Sequence, residues 1–142
     1  MAITYENVIY DRVINSLHTL IADEIAIPVY FDEHKGNHSF LITPGEDSLL
    51  EYNSDGQSRS YAVQIEYQLK SGGDYTRNNF KQVSEIMERM KRLIHNNNAY
   101  SPSDVYKWHD ARTESLTYTR DEVDSSILNG LLEFSCTVTE VT

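Results

Sequence analysis

A chain of 142 residues, 39% hydrophobic and 11% aromatic, furnishes one sizeable core and leaves no room for a second. Six glycines and three prolines exclude a collagen-like or low-complexity chain, and a lone Cys136 excludes both an intrachain disulfide and a cysteine-built zinc cluster. A formal charge of -10 opposes broad binding to the outside of a nucleic-acid duplex, where affinity comes from lysines and arginines displacing counterions.

The chain opens on an amphipathic helix over residues 4–24, because Ile9, Val13, Leu17, Leu20 and Ile21 recur at steps of three and four. Thr4 is placed to accept a hydrogen bond from a first-turn N–H, and Glu6 puts negative charge at the positive end of the helix dipole. Residues 25–32 are rich in β-branched and aromatic types and contain Pro28, which predicts a strand at a sheet edge. After a polar turn over 32–38, residues 39–43 are expected to pair back as a second strand. That strand should stop at Pro44-Gly45, with Glu46, Asp47 and Ser48 forming a loop.

Residues 49–53 read as extended and 54–57 as a turn. Residues 58–70 alternate strictly, with Tyr61, Val63, Ile65, Tyr67 and Leu69 on one side and Ala62, Gln64, Glu66 and Gln68 on the other. Beyond Ser71-Gly72-Gly73, Asp74 or Thr76 caps a second helix running to about His95, its apolar face made by Phe80, Val83, Met87, Met90 and Ile94. Lys81 with Glu85, Glu85 with Arg89, and Glu88 with Arg92 are spaced for opposite-charge pairs on its outer side. Asn96-Asn97-Asn98 and then Pro102 end it. The remainder is extended: residues 105–118, an acidic connection through Asp121, Glu122 and Asp124, then 131–141, where Leu132, Phe134, Cys136 and Val138 face inward.

These elements predict one α+β domain spanning residues 1–142, in the order α-β-β-β-α-β-β: a mainly antiparallel sheet with two helices packed on one face. The other face, carrying Gln, Glu, Ser and Thr, is left for solvent or a partner. The N-terminus lacks the basic and apolar regions of a secretory signal, and no apolar run is long enough to cross a bilayer, so the expectation is a soluble protein made inside a cell.

Chemistry-bearing motifs are few. His34 and His38 flank Gly36 beside Asp32 and Glu33, a set of types able to hold a divalent metal, although hairpin turns collect the same residues for conformational reasons. Trp108-His109-Asp110-Ala111-Arg112 gathers an aromatic, a base, an acid and a cation, yet on a strand His109 and Asp110 would diverge. An interface role suits Trp108 and Arg112 better, with core packing as the plain alternative for the indole. Cys136 lies on an apolar strand face without an activating neighbour and reads as packing. No phosphate-binding glycine loop, nucleophile elbow, zinc-protease helix or calcium loop occurs. Ten tyrosines spread through the chain suit partly buried contacts with a polar tip.

Charge is distributed unevenly. Between residues 70 and 95 there are six Lys and Arg against three acidic residues, whereas the rest of the chain has six against nineteen. A mildly basic second helix on an acidic body is suited to docking on an acidic patch of a neighbouring copy, head to tail, which closes into a ring when the rotation allows. An acidic wall also suits a channel through which DNA slides without sticking.

The whole pattern resembles a family. The opening amphipathic helix, the meander ending in Ser60-Tyr61-Ala62-Val63-Gln64-Ile65-Glu66-Tyr67, the helix over 79–95 and the closing strands ending in Phe134-Ser135-Cys136-Thr137-Val138 look like the tail terminator and tail-completion (neck) proteins of long-tailed bacteriophages. The likeness is one of element order, size and texture over nearly the full chain. It implies a non-enzymatic ring, commonly hexameric, without cofactor or metal, that caps the tail tube protein and presents a surface to a head-completion or connector protein. DNA would pass through the lumen without specific binding. The setting would be the virion, after assembly in the host cytoplasm, with no membrane contact. The expected subunit contacts are Lys81, Arg89 and Arg92, with Trp108 and Arg112 as anchors. The rival readings are another neck component or a tail tube subunit, and a small metal-dependent enzyme built on His34/His38 or His109/Asp110.

Overall fold

A computed structural model describes Ile3 and residues 5–70, 77–123 and 127–141. The proposed caps Thr4, Asp74 and Thr76, the Ser71-Gly72-Gly73 connection, and Asp124 lie outside the described residues.

Helix formation begins at Val8 rather than at residue 4. A π-helical turn, Ile9–Ile14, runs directly into α1, Asn15–Glu24. Glu6 precedes the turn and is held by Arg12, whose Nε and Nη2 donate to its two carboxylate oxygens at 2.8 and 3.0 Å. That hydrogen bonding holds the Glu6 carboxyl below its ordinary range. Of the predicted stripe Val13, Leu17 and Ile21 are buried and Ile9 and Leu20 partly so, while Val8 and Ile14 are also buried.

The predicted 25–32 strand contracts to β1, Val29–Tyr30. The Ile27 N–H turns back onto the Ile25 carbonyl at 2.8 Å, and Pro28 has no N–H to give, so only two residues remain for pairing. Its edge position holds. Its direction does not follow the sequence reading: β1 runs parallel to its neighbour, pairing Val29 with Phe40 and Tyr30 with Leu41.

β2, His38–Asn53, is one continuous strand where two strands and a loop were expected. Pro44 and Gly45 do not end it. They form a bulge, with Pro44 opposite Val63 and Glu46 opposite Ala62. Gly45 fits because a Cβ there would stand 2.9 Å from the Ala62 carbonyl oxygen. A two-residue turn of Ser54 and Asp55 leads into β3, Gly56–Lys70. The Asn53 side-chain oxygen accepts from the Asp55 and Gly56 N–H groups at 2.9 and 3.1 Å, which explains the turn at this point.

α2, Arg77–Asn96, ends at the asparagine run as expected. A 3-10 turn, Pro102–Asp104, precedes β4, His109–Arg120, and β5, Ile127–Val141. The sheet order is β1-β2-β3-β5-β4, antiparallel apart from the β1–β2 pair, so the α+β architecture holds.

One sheet face is apolar because β3 and β5 are in register: Tyr61 faces Cys136, Val63 faces Phe134, Ile65 faces Leu132 and Leu69 faces Leu128. α2 covers this face over β3, β5 and β4, and the π-helical turn covers it over β2 and β3, with α1 packed beside β1 and α2. Each such buried aliphatic or phenyl side chain contributes about 1.5–3 kcal/mol of hydrophobic free energy. Opposite Tyr67 stands Gly130, and α2 passes close to it, since a Cβ there would meet Met87 Cγ at 2.8 Å. Among the described residues, no helix is long and apolar enough to cross a membrane.

Candidate functional site

Two exposed surfaces with opposite charge lie at opposite flanks of the sheet. The first is the far half of the β2–β3 hairpin. Among the described residues, β1 covers only Phe40 and Leu41 of β2, so residues 43–53 form an edge paired solely to β3. Between Gly45 and Ser58 the chain has four carboxylates, Glu46, Asp47, Glu51 and Asp55, and no lysine or arginine. Arg59 reaches Asp47 at 2.6 Å, and Glu140 of β5 lies alongside, opposite Gln57. Within this acidic tip Leu49, Leu50 and Tyr52 are 52%, 58% and 75% exposed. A second bulge, between Leu49 and Glu51, leaves Leu50 as the extra residue.

The second surface joins the C-terminal part of α2 to the start of β4. Lys91, Ile94, His95, Ala111 and Arg112 line a cleft of about 460 Å³. An adjoining recess bounded by Glu88 and Arg92 shares Lys91 and His95 with it. Lys91 pairs with Glu88 at 2.8 Å, so the predicted Glu88–Arg92 pair is replaced by its i,i+3 neighbour. Arg112 approaches Glu114 only at 3.9 Å and remains exposed. Four of the five contact residues expected from sequence, Lys81, Arg89, Arg92 and Arg112, are exposed. The Arg89 Nη2 donates to the Glu24 carbonyl at 2.8 Å, joining α2 to the end of α1.

Trp108 corrects the interface expectation. Its indole is 1% exposed, donates from Nε1 to the Asn97 carbonyl at 2.9 Å, and packs edge-on to Phe134 with centroids 5.5 Å apart. It is a core residue, fixed there by the Tyr100–Trp108 bridge that brings the post-helix segment back to the sheet.

The histidines do not converge on a metal. His34 Nδ1 lies 2.7 Å from Ser39 Oγ and its Nε2 lies 2.7 Å from Glu66 Oε1, while His38 Nδ1 faces the Tyr67 hydroxyl at 3.4 Å. Among the described residues, no group of three His, Cys, Asp or Glu is placed to hold a metal ion. Ser39, His34 and Glu66 share the bonding order of a nucleophile triad, which linear spacing could not reveal, since Glu66 is 32 positions from His34. Ser39 is nevertheless 1% exposed, so its hydroxyl is not offered to a substrate. The trio clamps the 31–37 connection against the outer sheet face.

His109 is likewise engaged, with Nδ1 2.8 Å from the Tyr106 hydroxyl, and that hydroxyl also donates to the Thr137 carbonyl and accepts from the Thr139 N–H. Asp110 takes φ 52° and lies beside a bulge between His109 and Arg112, so strict strand alternation fails there. Cys136 is buried, and burial pushes its thiol up to about 12.

A further cleft of about 460 Å³ separates the N-terminal segment from the far half of the hairpin, lined in part by Glu6, Asp47, Arg59, Tyr61 and Glu140. Tyr61 is raised to about 12 there, first by burial and then by the Asp47 and Glu140 charges. No protein-family model matches the chain, and no curated protein is significantly similar to it.

Proposed function

We propose that this protein is a non-enzymatic structural subunit that assembles into a ring ending a bacteriophage tail tube, with a head-joining surface and an opening for DNA. The observation that carries the reading is the pair of oppositely charged exposed surfaces on one small fold: the acidic β2–β3 tip with Leu49, Leu50 and Tyr52, and the basic α2–β4 cleft with Lys91, Arg92 and Arg112. A single chain with complementary, non-identical surfaces is suited to heterologous association, which produces closed rings or open tubes. The net charge of -10 supports a lumen that lets DNA slide. The α-β-β-β-α-β-β order also agrees with the resemblance to tail terminator and neck proteins.

Native mass spectrometry together with negative-stain electron microscopy tests this. A closed particle of one stoichiometry with an open centre is expected. Long tubes would favour a tail tube subunit, and a strict monomer at high concentration would overturn the reading.

A further inference from the structure

We infer that the acidic hairpin tip of one protomer seats on the basic α2–β4 cleft of a second copy, with Tyr52 as the knob; this rests on the ring reading above and names its contact. The tip is strongly acidic while exposing apolar side chains, a combination suited to a cationic surface with an apolar floor. In the cleft, Lys91, His95 and Arg112 stand around Ile94 and Ala111, each only 3% exposed, and Arg92 adjoins, with Glu88 paired to Lys91 at the rim. At about 460 Å³ the cleft has room for one aromatic side chain. Tyrosine combines large area with few rotatable bonds, which is why it recurs at the centres of interfaces.

Symmetric alternatives are disfavoured by charge. A tip-to-tip contact would juxtapose Glu46, Asp47, Glu51 and Asp55 with their own copies, and a contact between two α2 faces would juxtapose the cations. Strand addition along β2 is also disfavoured. Residues 43–53 carry Pro44, two bulges and inserted charges, the devices that defend an open edge against backbone pairing. The tip must therefore bind through side chains. Its position suits repetition, since β3 and β5 separate β2 from β4 and put donor and acceptor surfaces roughly 14 Å apart across the sheet. Each copy can then give with one flank and receive with the other.

The test is charge reversal read by sedimentation velocity on the full chain. Glu46→Lys with Glu51→Lys should weaken self-association at least about tenfold, as should Arg92→Glu with Arg112→Glu. All four changes in one chain should restore it, because the reversed tip then meets a reversed cleft; that recovery also shows that the variants fold. Tyr52→Ala, at a side chain 75% exposed, should weaken association without changing the far-ultraviolet circular dichroism spectrum of the folded chain. If the wild type assembles and both single-surface reversals assemble equally well, the tip belongs to another partner and this contact is overturned while the ring stands. A monomeric wild type overturns both.

Discussion

Replacing Trp108 separates a core role from an interface role. Removal of the indole in Trp108→Ala opens a cavity between Phe134, Tyr100 and the end of α2, a change that costs about 3–5 kcal/mol for a large buried aromatic. An unfolding entropy of about 2.1 cal/mol/K per residue over 142 residues gives about 0.3 kcal/mol/K, so the melting temperature should fall by about 10–17 °C. Trp108→Phe keeps most ring contact but removes the donor to the Asn97 carbonyl. The loss of about 1–3 kcal/mol corresponds to a fall of about 3–10 °C. Thermal unfolding followed by circular dichroism, at one protein concentration because assembly would itself shift the transition, measures both. A Trp108→Ala variant melting within about 2 °C of the wild type would refute the core assignment, because a buried truncation of this size has no route to so small an effect.

Gly130→Ala should destabilise by about 1–3 kcal/mol, since its Cβ must displace Met87 and Val83; urea unfolding that shows no loss would mean that α2 is not seated this closely. Stability should decline as pH rises from about 9 toward 12. The unfolded chain releases the Cys136 and Tyr61 protons at ordinary values of 9.0 and 10.0, whereas the fold retains them to about 12, so the unfolded state binds fewer protons across this window. Cys136→Ala with Tyr61→Phe should flatten that decline, and urea midpoints taken across the window check it. Native Cys136 should resist a thiol reagent at neutral pH and react on unfolding. His34→Ala should cost about 1–3 kcal/mol by leaving the buried Ser39 hydroxyl without its imidazole partner, measured by chemical denaturation, with Glu66→Gln milder because an amide oxygen can still accept from the ring.

Local patterning was sufficient for the central strands and the second helix. Tyr61 to Leu69 and Leu132 to Val138 alternate with the period of a half-buried strand, and Phe80, Val83, Met87, Met90 and Ile94 mark one helical face; the inward residues are buried as that reasoning requires, except Phe80, which is only partly so. Such signals survive because each side chain's burial follows from its own period. The basic character of α2 and the acidity of the rest of the chain were equally plain from composition. Where neighbouring strands decide the outcome, linear reading fell short. Pro44-Gly45 resembles a strand breaker until Ala62 and Val63 stand opposite and absorb the extra residue as a bulge. Trp108 resembles an interface anchor until Asn97 and Phe134 enclose it. The Ser39–His34–Glu66 clamp needs two strands and a loop to meet. The sequence by itself therefore determined the element order, the inward faces and the charge of each segment, all set by nearby residues. Only the tertiary structure decided that the acidic tip and the basic cleft lie on opposite flanks, because strand order and pairing register depend on contacts between distant parts of the chain.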